Sequence, residues 1–344
     1  MAHHDATIKD IAAILKVSVS TVSRALRDTH DVSERTKEAV RRVARDLNYK
    51  PNYNATALAR GSTHNIGIIL PFLTNYYFST VISGVQQTAM ASGFNIILFI
   101  TNDSPETESQ VVRNLFTSGV DGLLVCIASN SNSSEHFQRL MDRGTPVVLF
   151  DRVAEGLVTS RVMQDDFKGA FESVQHLAKN GYRKIAHIAG PATLMLTKRR
   201  LAGYHAALKK YNLPSRPEWI VHSGFSQQDG ERDAKELLKC PIRPDAIFAA
   251  NDRKAIGAMI ALKKKGIAIG TAIGVVGFTD DPMAQIVSPA LTTYAEPAFE
   301  IGKQACELLL KHIQKKNFAP EERILSGRLM IRESSKPNTK AKDV

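Results

Sequence analysis

From residue 64 onward the chain repeats one rhythm, a near-continuous apolar run followed by an amphipathic stretch. "NIGIILP" (65–71), "FNIILFI" (94–100), "DGLLVCI" (121–127) and "PVVLF" (146–150) form a first series, at intervals of roughly 25 to 28 residues. "KIAHIAG" (184–190), "WIVHSG" (219–224), "DAIFAAND" (245–252) and "AIGVVGF" (272–278) form a second. Runs without polar alternation suit parallel strands covered by helices on both faces. Each series is too short for a closed barrel, so the pattern predicts two doubly wound α/β lobes with a cleft between them. Ligands in such sheets sit beyond the carboxyl ends of the strands.

The first 50 residues differ in kind and read as all-α. Thr7 and Asp10 match a helix-capping pair, after which Ile11, Ala12 and Leu15 form one apolar face. Beyond the break "LKVS", Ser18 or Ser20 caps a second helix whose inner face is Val22, Ala25 and Leu26. Ser33 caps a third, in which Ala39, Val40, Val43, Ala44 and Leu47 recur at helical spacing. Pro51 ends it, because the residue before a proline is steered away from helical geometry. The segment "NYNATALARGST" (52–63) offers at most two turns, from Ala55 to Arg60, too few for an isolated helix in water. It is expected to be a mobile linker that orders only against a partner.

Composition narrows the function. No run of about 18 apolar residues exists to span a membrane. The N-terminus lacks an apolar signal region and reads as mature. Cys126, Cys240 and Cys306 are far apart and set in apolar surroundings. That is a reduced, cytoplasmic pattern without a disulfide or zinc framework. A net charge of +11 and a pI near 9.5 suggest a polyanionic partner. Residues 1–62 hold 11 Lys+Arg against 7 Asp+Glu, and further cations cluster at 198–200, at 263–265 and in the tail "KPNTKAKDV". The tail is read as a disordered solubilising end, and His3 and His4 as incidental. There is no G-x-S-x-G elbow, no G-x-x-x-x-G-K-[ST] loop and no metal-spaced Cys/His set, and "GTAIGVVG" (270–277) lacks the dinucleotide spacing. No enzyme, cofactor or metal is therefore expected.

Two helices around a four-residue break make a helix-turn-helix, whose second helix can enter a major groove. Val19, Ser20, Thr21, Ser23 and Arg24 fall on or near the face away from Val22 and Leu26. Arg24 can grip a guanine edge bidentately, and small residues at Val19 and Ser20 allow close approach. Ser18, Thr21 and Ser23 suit phosphate contacts, which position without reading sequence. On these residues alone, a surface hairpin with ordinary Ser/Thr caps stands equally well.

"TIKDIAAILKVSVSTVSRALRD", "VSERTKEAVRRVARDLNYKPN" and "ALARGSTHNIGIILP" closely resemble the head, hinge and first strand of lactose-repressor (LacI/GalR) family regulators. "FDR" (150–152), "RRLAGY" (199–204), "AAND" (249–252), "VVGFTDDP" (275–282) and "PALTTY" (289–294) continue the match through about residue 334. The resemblance implies a helix-turn-helix head on a body like the periplasmic sugar-binding proteins. It implies a homodimeric transcriptional repressor on a roughly palindromic operator, controlled by a carbohydrate-like effector. By position it implies base contacts from Val19, Ser20 and Arg24, and backbone contacts from Thr7, Ser18, Thr21 and Ser23. It also implies a hinge helix that enters the minor groove with Ala55 and Leu58, where an apolar wedge unstacks base steps. The corresponding divisions are a head at 1–50, a hinge at 51–63, and a first lobe at 64–162 and 293–323. The second lobe is 163–292 and 324–335, and the tail 336–344.

The resemblance further places Tyr77, Phe78, Asp151, Arg152, Arg200, Phe225, Asn251, Asp252, Thr279 and Asp280 in the effector cleft. For several of these a second reading stands: Tyr77 and Phe78 as core, Asp151 with Arg152 or Arg200 as structural ion pairs. Three departures are visible. Lys16 stands where the family has Gly in the turn, a penalty on the order of 1 kcal/mol if left-handed. Thr279, rather than Asp, follows "GF". Leu194, Met195 and Leu196 make an apolar loop where polar effector contacts are common, which points to a less polar effector, one bound elsewhere, or none. Arg152 and Arg200 leave a phosphorylated ligand open. The absence of a leucine-heptad tail favours a dimer over a tetramer. A solute-binding protein with a vestigial head is the alternative, and a sugar-processing enzyme would need a carboxylate pair that the sequence does not single out.

Overall fold

The computed structural model describes residues 6–26, 28, 31–49, 62–131, 133–315 and 318–336. The hinge residues Ala55 and Leu58, His3, His4 and the tail from 337 lie outside the described residues. The chain divides into two units, Met1–Thr63 and His64–Val344.

The first unit holds α1 (Ile8–Leu15), α2 (Val19–Leu26) and α3 (Glu34–Asp46). The Thr7 backbone N–H and hydroxyl both donate to the Asp10 carboxylate at 2.7 Å. Lys16 closes α1 in the left-handed conformation (φ 53°, ψ 40°), as its place in the turn requires. Ser18, not Ser20, caps α2, its hydroxyl accepting from the Thr21 N–H at 3.0 Å. Ser33 accepts from the Thr36 N–H at 3.3 Å and caps α3. The three helices enclose Ile11, Ala12, Val22, Ala25, Val40 and Val43. Lys37 is the surprise: its stem is buried, and its ammonium reaches Asp28 at 3.0 Å and Glu34 at 2.8 Å.

In the second unit, β1 (Asn65–Leu70), β2 (Asn95–Ile100), β3 (Gly122–Val125), β4 (Val147–Phe150), β5 (Arg161–Gln164) and β11 (Glu322–Leu325) form one sheet. Its order is β11-β5-β4-β3-β1-β2, and every pair is parallel. A second sheet runs β12-β10-β9-β8-β6-β7. Its strands are β6 (Ile185–Ala189), β7 (Ile220–His222), β8 (Ala246–Ala249), β9 (Gly274–Thr279), β10 (Thr292–Ala295) and β12 (Arg328–Met330). Only the β10–β12 pair is antiparallel. The two sheets thus share one doubly wound order, with a switch point between β1 and β3 and another between β6 and β8.

Helices cover both faces, as the unbroken apolar runs require. The first lobe carries α4 (Tyr76–Ala91), α5 (Pro105–Ser118) and α6 (Glu135–Asp142). The second carries α7 (Asp166–Lys179), α8 (Met195–Lys210), α9 (Gln227–Leu237), α10 (Asp252–Lys264) and the short α11 (Met283–Ile286), and α12 (Ala298–Gln314) returns to the first. Ile66, Ile68 and Leu70 pack with α4 and α12, while Ile69 joins Leu123, Val125 and Leu149 on the opposite face. The α4–α12 packing is close enough that a Cβ on Gly302 would fall 2.0 Å from the Val81 carbonyl oxygen.

The lobe limits expected from the sequence shift by two or three residues. The chain crosses after Gln164, after Ala295 and after Leu325. Each of these residues still pairs within its own sheet (Gln164 with Leu325, Ala295 with Thr279). A strand's backbone groups need their ladder partners, so the crossing falls at the strand end.

Candidate DNA-reading surface and interlobe cleft

On α2, Val22 and Ala25 are fully buried, which turns Ser20 and Arg24, one helical turn apart, outward. Val19 is 43% exposed at the edge of that face. Arg24 bonds Asp31 at 3.1 Å, a surface pair that a stronger acceptor can displace. The Ser18 hydroxyl lies 2.7 Å from that of Ser20 and 2.8 Å from that of Thr21. Ser23 is half-buried, and Thr7 is held by Asp10. The structure thus brings Ser18, Val19, Ser20, Thr21, Ser23 and Arg24 together on one short helix.

The cleft in the second unit has a volume of about 760 Å³. Its lining follows strand carboxyl ends: Phe72 after β1, Asp103 after β2, Ser129 after β3, Asp151 after β4, Thr193 after β6, and Asn251 after β8. Of the ten residues expected there, Tyr77, Phe78, Asp151, Arg152, Arg200, Phe225, Asn251 and Thr279 line it. Tyr77 and Phe78 also belong to the first lobe's core, so both readings of them hold.

Asp252 and Asp280 do not line it. Asp252 is buried, accepting from the Thr293 hydroxyl at 2.6 Å and the Asp281 N–H at 2.8 Å. Burial lifts its carboxyl to about 7. Asp280 turns away to Arg332, 2.6 Å distant, from a left-handed backbone (φ 62°). The apolar loop also sorts differently. Leu196 lines the cleft, but Leu194 is buried and Met195 packs on the first lobe's core.

Arg200 is 4% exposed, bonding Asp166 at 2.8 Å, Glu296 at 3.1 Å and the Ala250 carbonyl, with its guanidinium over the Phe278 ring at 3.8 Å. Burial raises Glu296 to about 7 and Asp166 to about 6, and Arg200 opposes both shifts. Arg152 bonds Asp103 at 2.7 Å and the Ser129 hydroxyl at 3.0 Å, and its guanidinium stands over Phe225 at 5.1 Å. Burial likewise raises Asp151, with Arg152 and Arg200 opposing. The buried Tyr77 hydroxyl sits near Asp151 without a hydrogen bond of normal geometry. Two guanidinium groups therefore meet four carboxylates, those of Asp103, Asp151, Asp166 and Glu296. Asn251 is committed too, accepting from the Lys254 N–H at 2.8 Å and donating to the Phe225 carbonyl at 3.1 Å.

Sequence reasoning missed Phe72, Asp103, Ser129, Thr193 and Glu296. Their shared signal is position just beyond a strand's carboxyl end. Glu296 escaped because β10, "TTYA", is too short and mixed to read as a strand. Among the described residues no group of three His, Cys, Asp or Glu side chains is placed to hold a metal ion, and no helix is long and apolar enough to cross a membrane.

Residues 7–52 match the model of the bacterial regulatory proteins of the lacI family, and residues 63–333 match that of the periplasmic binding proteins and sugar-binding domain of the LacI family. The transcriptional repressor PurR of Vibrio parahaemolyticus is 31% identical over 96% of this chain and 99% of its own. The Lac repressor dimer bound to operator and the anti-inducer ONPF superposes with a TM-score of 0.85 at 26% identity, over 97% of this chain and 100% of that one. The regulator CelR in complex with cellobiose gives 0.74 at 27% identity, over 96% and 99%. The chain belongs to the LacI family of bacterial regulatory proteins, and is a DNA-binding transcriptional regulator with a helix-turn-helix head and a two-lobed effector-binding body.

Proposed function

We propose that the protein represses transcription as a homodimer on a roughly palindromic operator, released or reinforced by a small effector in the cleft. The outward Ser20 and Arg24 on α2 carry this reading, supported by the operator-bound dimer that matches over 97% of this chain. Val19, Ser20 and Arg24 read base edges, while Thr7, Ser18, Thr21 and Ser23 hold phosphates. Ala55 and Leu58 serve the minor groove. Its relatives being repressors, it acts in the cytoplasm on DNA and catalyses nothing.

The effector we infer is neutral and rich in hydroxyl or N–H donors, a sugar or nucleoside rather than a phosphate ester. Both cleft arginines already face carboxylates, so an anion would add to an excess of negative groups. Phe78 and Phe225 give flat apolar faces, and Asp151 and Tyr77 give hydrogen-bonding groups. Lobe closure then couples effector and operator affinities reciprocally. The test is binding-site selection from random duplexes, then footprinting. Arg24→Ala should lose about 1 to 3 kcal/mol on the selected site and relax one base position per half-site. Unchanged affinity and footprint would overturn the base-reading role.

A further inference from the structure

Behind the second lobe's wall of the cleft lies a charge that solvent does not reach. Lys254, in the first turn of α10, is fully buried. Its ammonium donates to the Asp233 carboxylate of α9 at 2.8 Å, to the Ala189 backbone carbonyl at 2.6 Å and to the Ser223 hydroxyl at 2.6 Å. Each of its three protons therefore has an acceptor. Asp233 is buried as well, and it also accepts from the Ser223 hydroxyl at 2.5 Å. The two helices are tightly packed at this point: a Cβ on Gly230 would fall 2.2 Å from the Lys254 carbonyl oxygen.

Two of the three acceptors belong to loops that face the effector. Ala189 ends β6 and leads into residues 191–198, where Thr193 lines the cleft and bonds the Ser129 carbonyl of the first lobe. Ser223 stands between β7 and α9, two residues before Phe225, whose ring lies against the Arg152 guanidinium. The loops also touch each other, since a Cβ on Gly190 would fall 2.5 Å from the Phe225 ring. Asn251, at the head of α10, reaches the second loop again by donating to the Phe225 carbonyl. Stability does not account for the buried pair. Taking an ammonium and a carboxylate out of water costs about as much as their attraction returns, and apolar side chains of similar size are commonly neutral or stabilising in such places. A buried ammonium supplies direction instead: its short, fully satisfied bonds fix two loops that apolar packing would leave free to slide.

We propose that Lys254, held by Asp233, is a positioning residue of the effector site. Its ammonium fixes the loops after β6 and β7, and thereby places Thr193 and Phe225 for the first lobe and for the ligand. This role rests on the reading that the effector binds in the cleft. The test uses effector-free protein, so an effector found elsewhere would strike that reading and leave the loop measurement standing.

The experiment joins Lys254→Met with Asp233→Leu in the full chain, so that neither charge is left buried alone. Arg232 keeps Asp229 at 2.7 Å in this variant. Amide hydrogen exchange is followed by mass spectrometry in peptides covering 190–198 and 222–230, where the Leu194, Ser226 and Asp229 N–H groups are hydrogen-bonded. We expect exchange about 10-fold faster in both peptides, with the wild-type melting temperature and wild-type exchange in β6, β8 and β9. Ser223→Ala leaves the buried pair in place and cuts only its arm to the second loop, so exchange in 222–230 should rise in that variant too. Wild-type exchange in both loops of the double variant, or in 222–230 of Ser223→Ala, overturns the proposal. So does a loss of protection that spreads through β6, β8 and β9 with a lower melting temperature, because the pair then supports the lobe as a whole.

Discussion

The Thr193 hydroxyl of the second lobe donates to the Ser129 backbone carbonyl of the first, 2.7 Å away, joining the lobes where no chain segment crosses. In the first turn of α8, Lys198 meets Glu155 at 3.4 Å, and Met195 packs against the first lobe's core. Residues 191–198, the turn after β6 and the first turn of α8, therefore tie the second lobe to the first, together with Phe225 under the Arg152 guanidinium.

Thr193→Val keeps the shape and removes the latch, at about 0.5 to 1.5 kcal/mol. The effector-free protein should open, with a larger radius of gyration by small-angle scattering, while its melting temperature stays near wild type. An unchanged radius would show that Met195 and Lys198 suffice.

Glu296 makes stability depend on pH. Burial raises its carboxyl from 4.5 to about 7, so the folded state keeps a proton that the unfolded chain releases. Stability from this group is complete below about pH 4.5 and is lost as pH rises towards 7. Glu296→Gln removes this share of the dependence and leaves those of Asp166 and Asp252. Between pH 5 and 8 the variant should gain about 1 to 3 kcal/mol relative to wild type in urea titrations. Parallel curves would mean that Arg200 holds the carboxylate charged throughout.

Lys16→Gly should stabilise the head. Its φ of 53° strains a lysine but not a glycine, and the side chain is exposed, so no contact is lost. After the greater freedom of glycine in the unfolded chain is subtracted, a gain of up to about 1 kcal/mol remains. Circular dichroism of the head's thermal transition measures it.

Gly302→Ala should act in the opposite sense to most helical Gly→Ala changes, which stabilise by about 0.5 to 1 kcal/mol. Here the new methyl meets the Val81 carbonyl, and α12 must move off α4. A loss of about 1 to 3 kcal/mol is expected in chemical denaturation.

The long apolar runs made eight strands legible, and helical spacing with Ser and Thr caps made the head legible. Strands β5, β10, β11 and β12 were not, because three or four residues such as "RVMQ" or "ERIL" carry too little periodicity to separate them from loops. The lobe limits moved for that reason, and Glu296 with them. Asp252 and Asp280 sit one residue from cleft-lining Asn251 and Thr279, and at such a spacing only the backbone decides which side chain faces the ligand. The buried pairings of Arg200 depend on Asp166 and Glu296, 34 and 96 residues away in sequence, which no local pattern encodes.

The three crossings also set the order in which a growing chain can finish its parts. The head closes on contacts within its first 49 residues, whereas neither sheet is whole until β11 and β12, the last strands, have been made. A ribosome therefore releases a folded helix-turn-helix well before the body that regulates it. A message cut short late in the body would yield a folded head with no effector control.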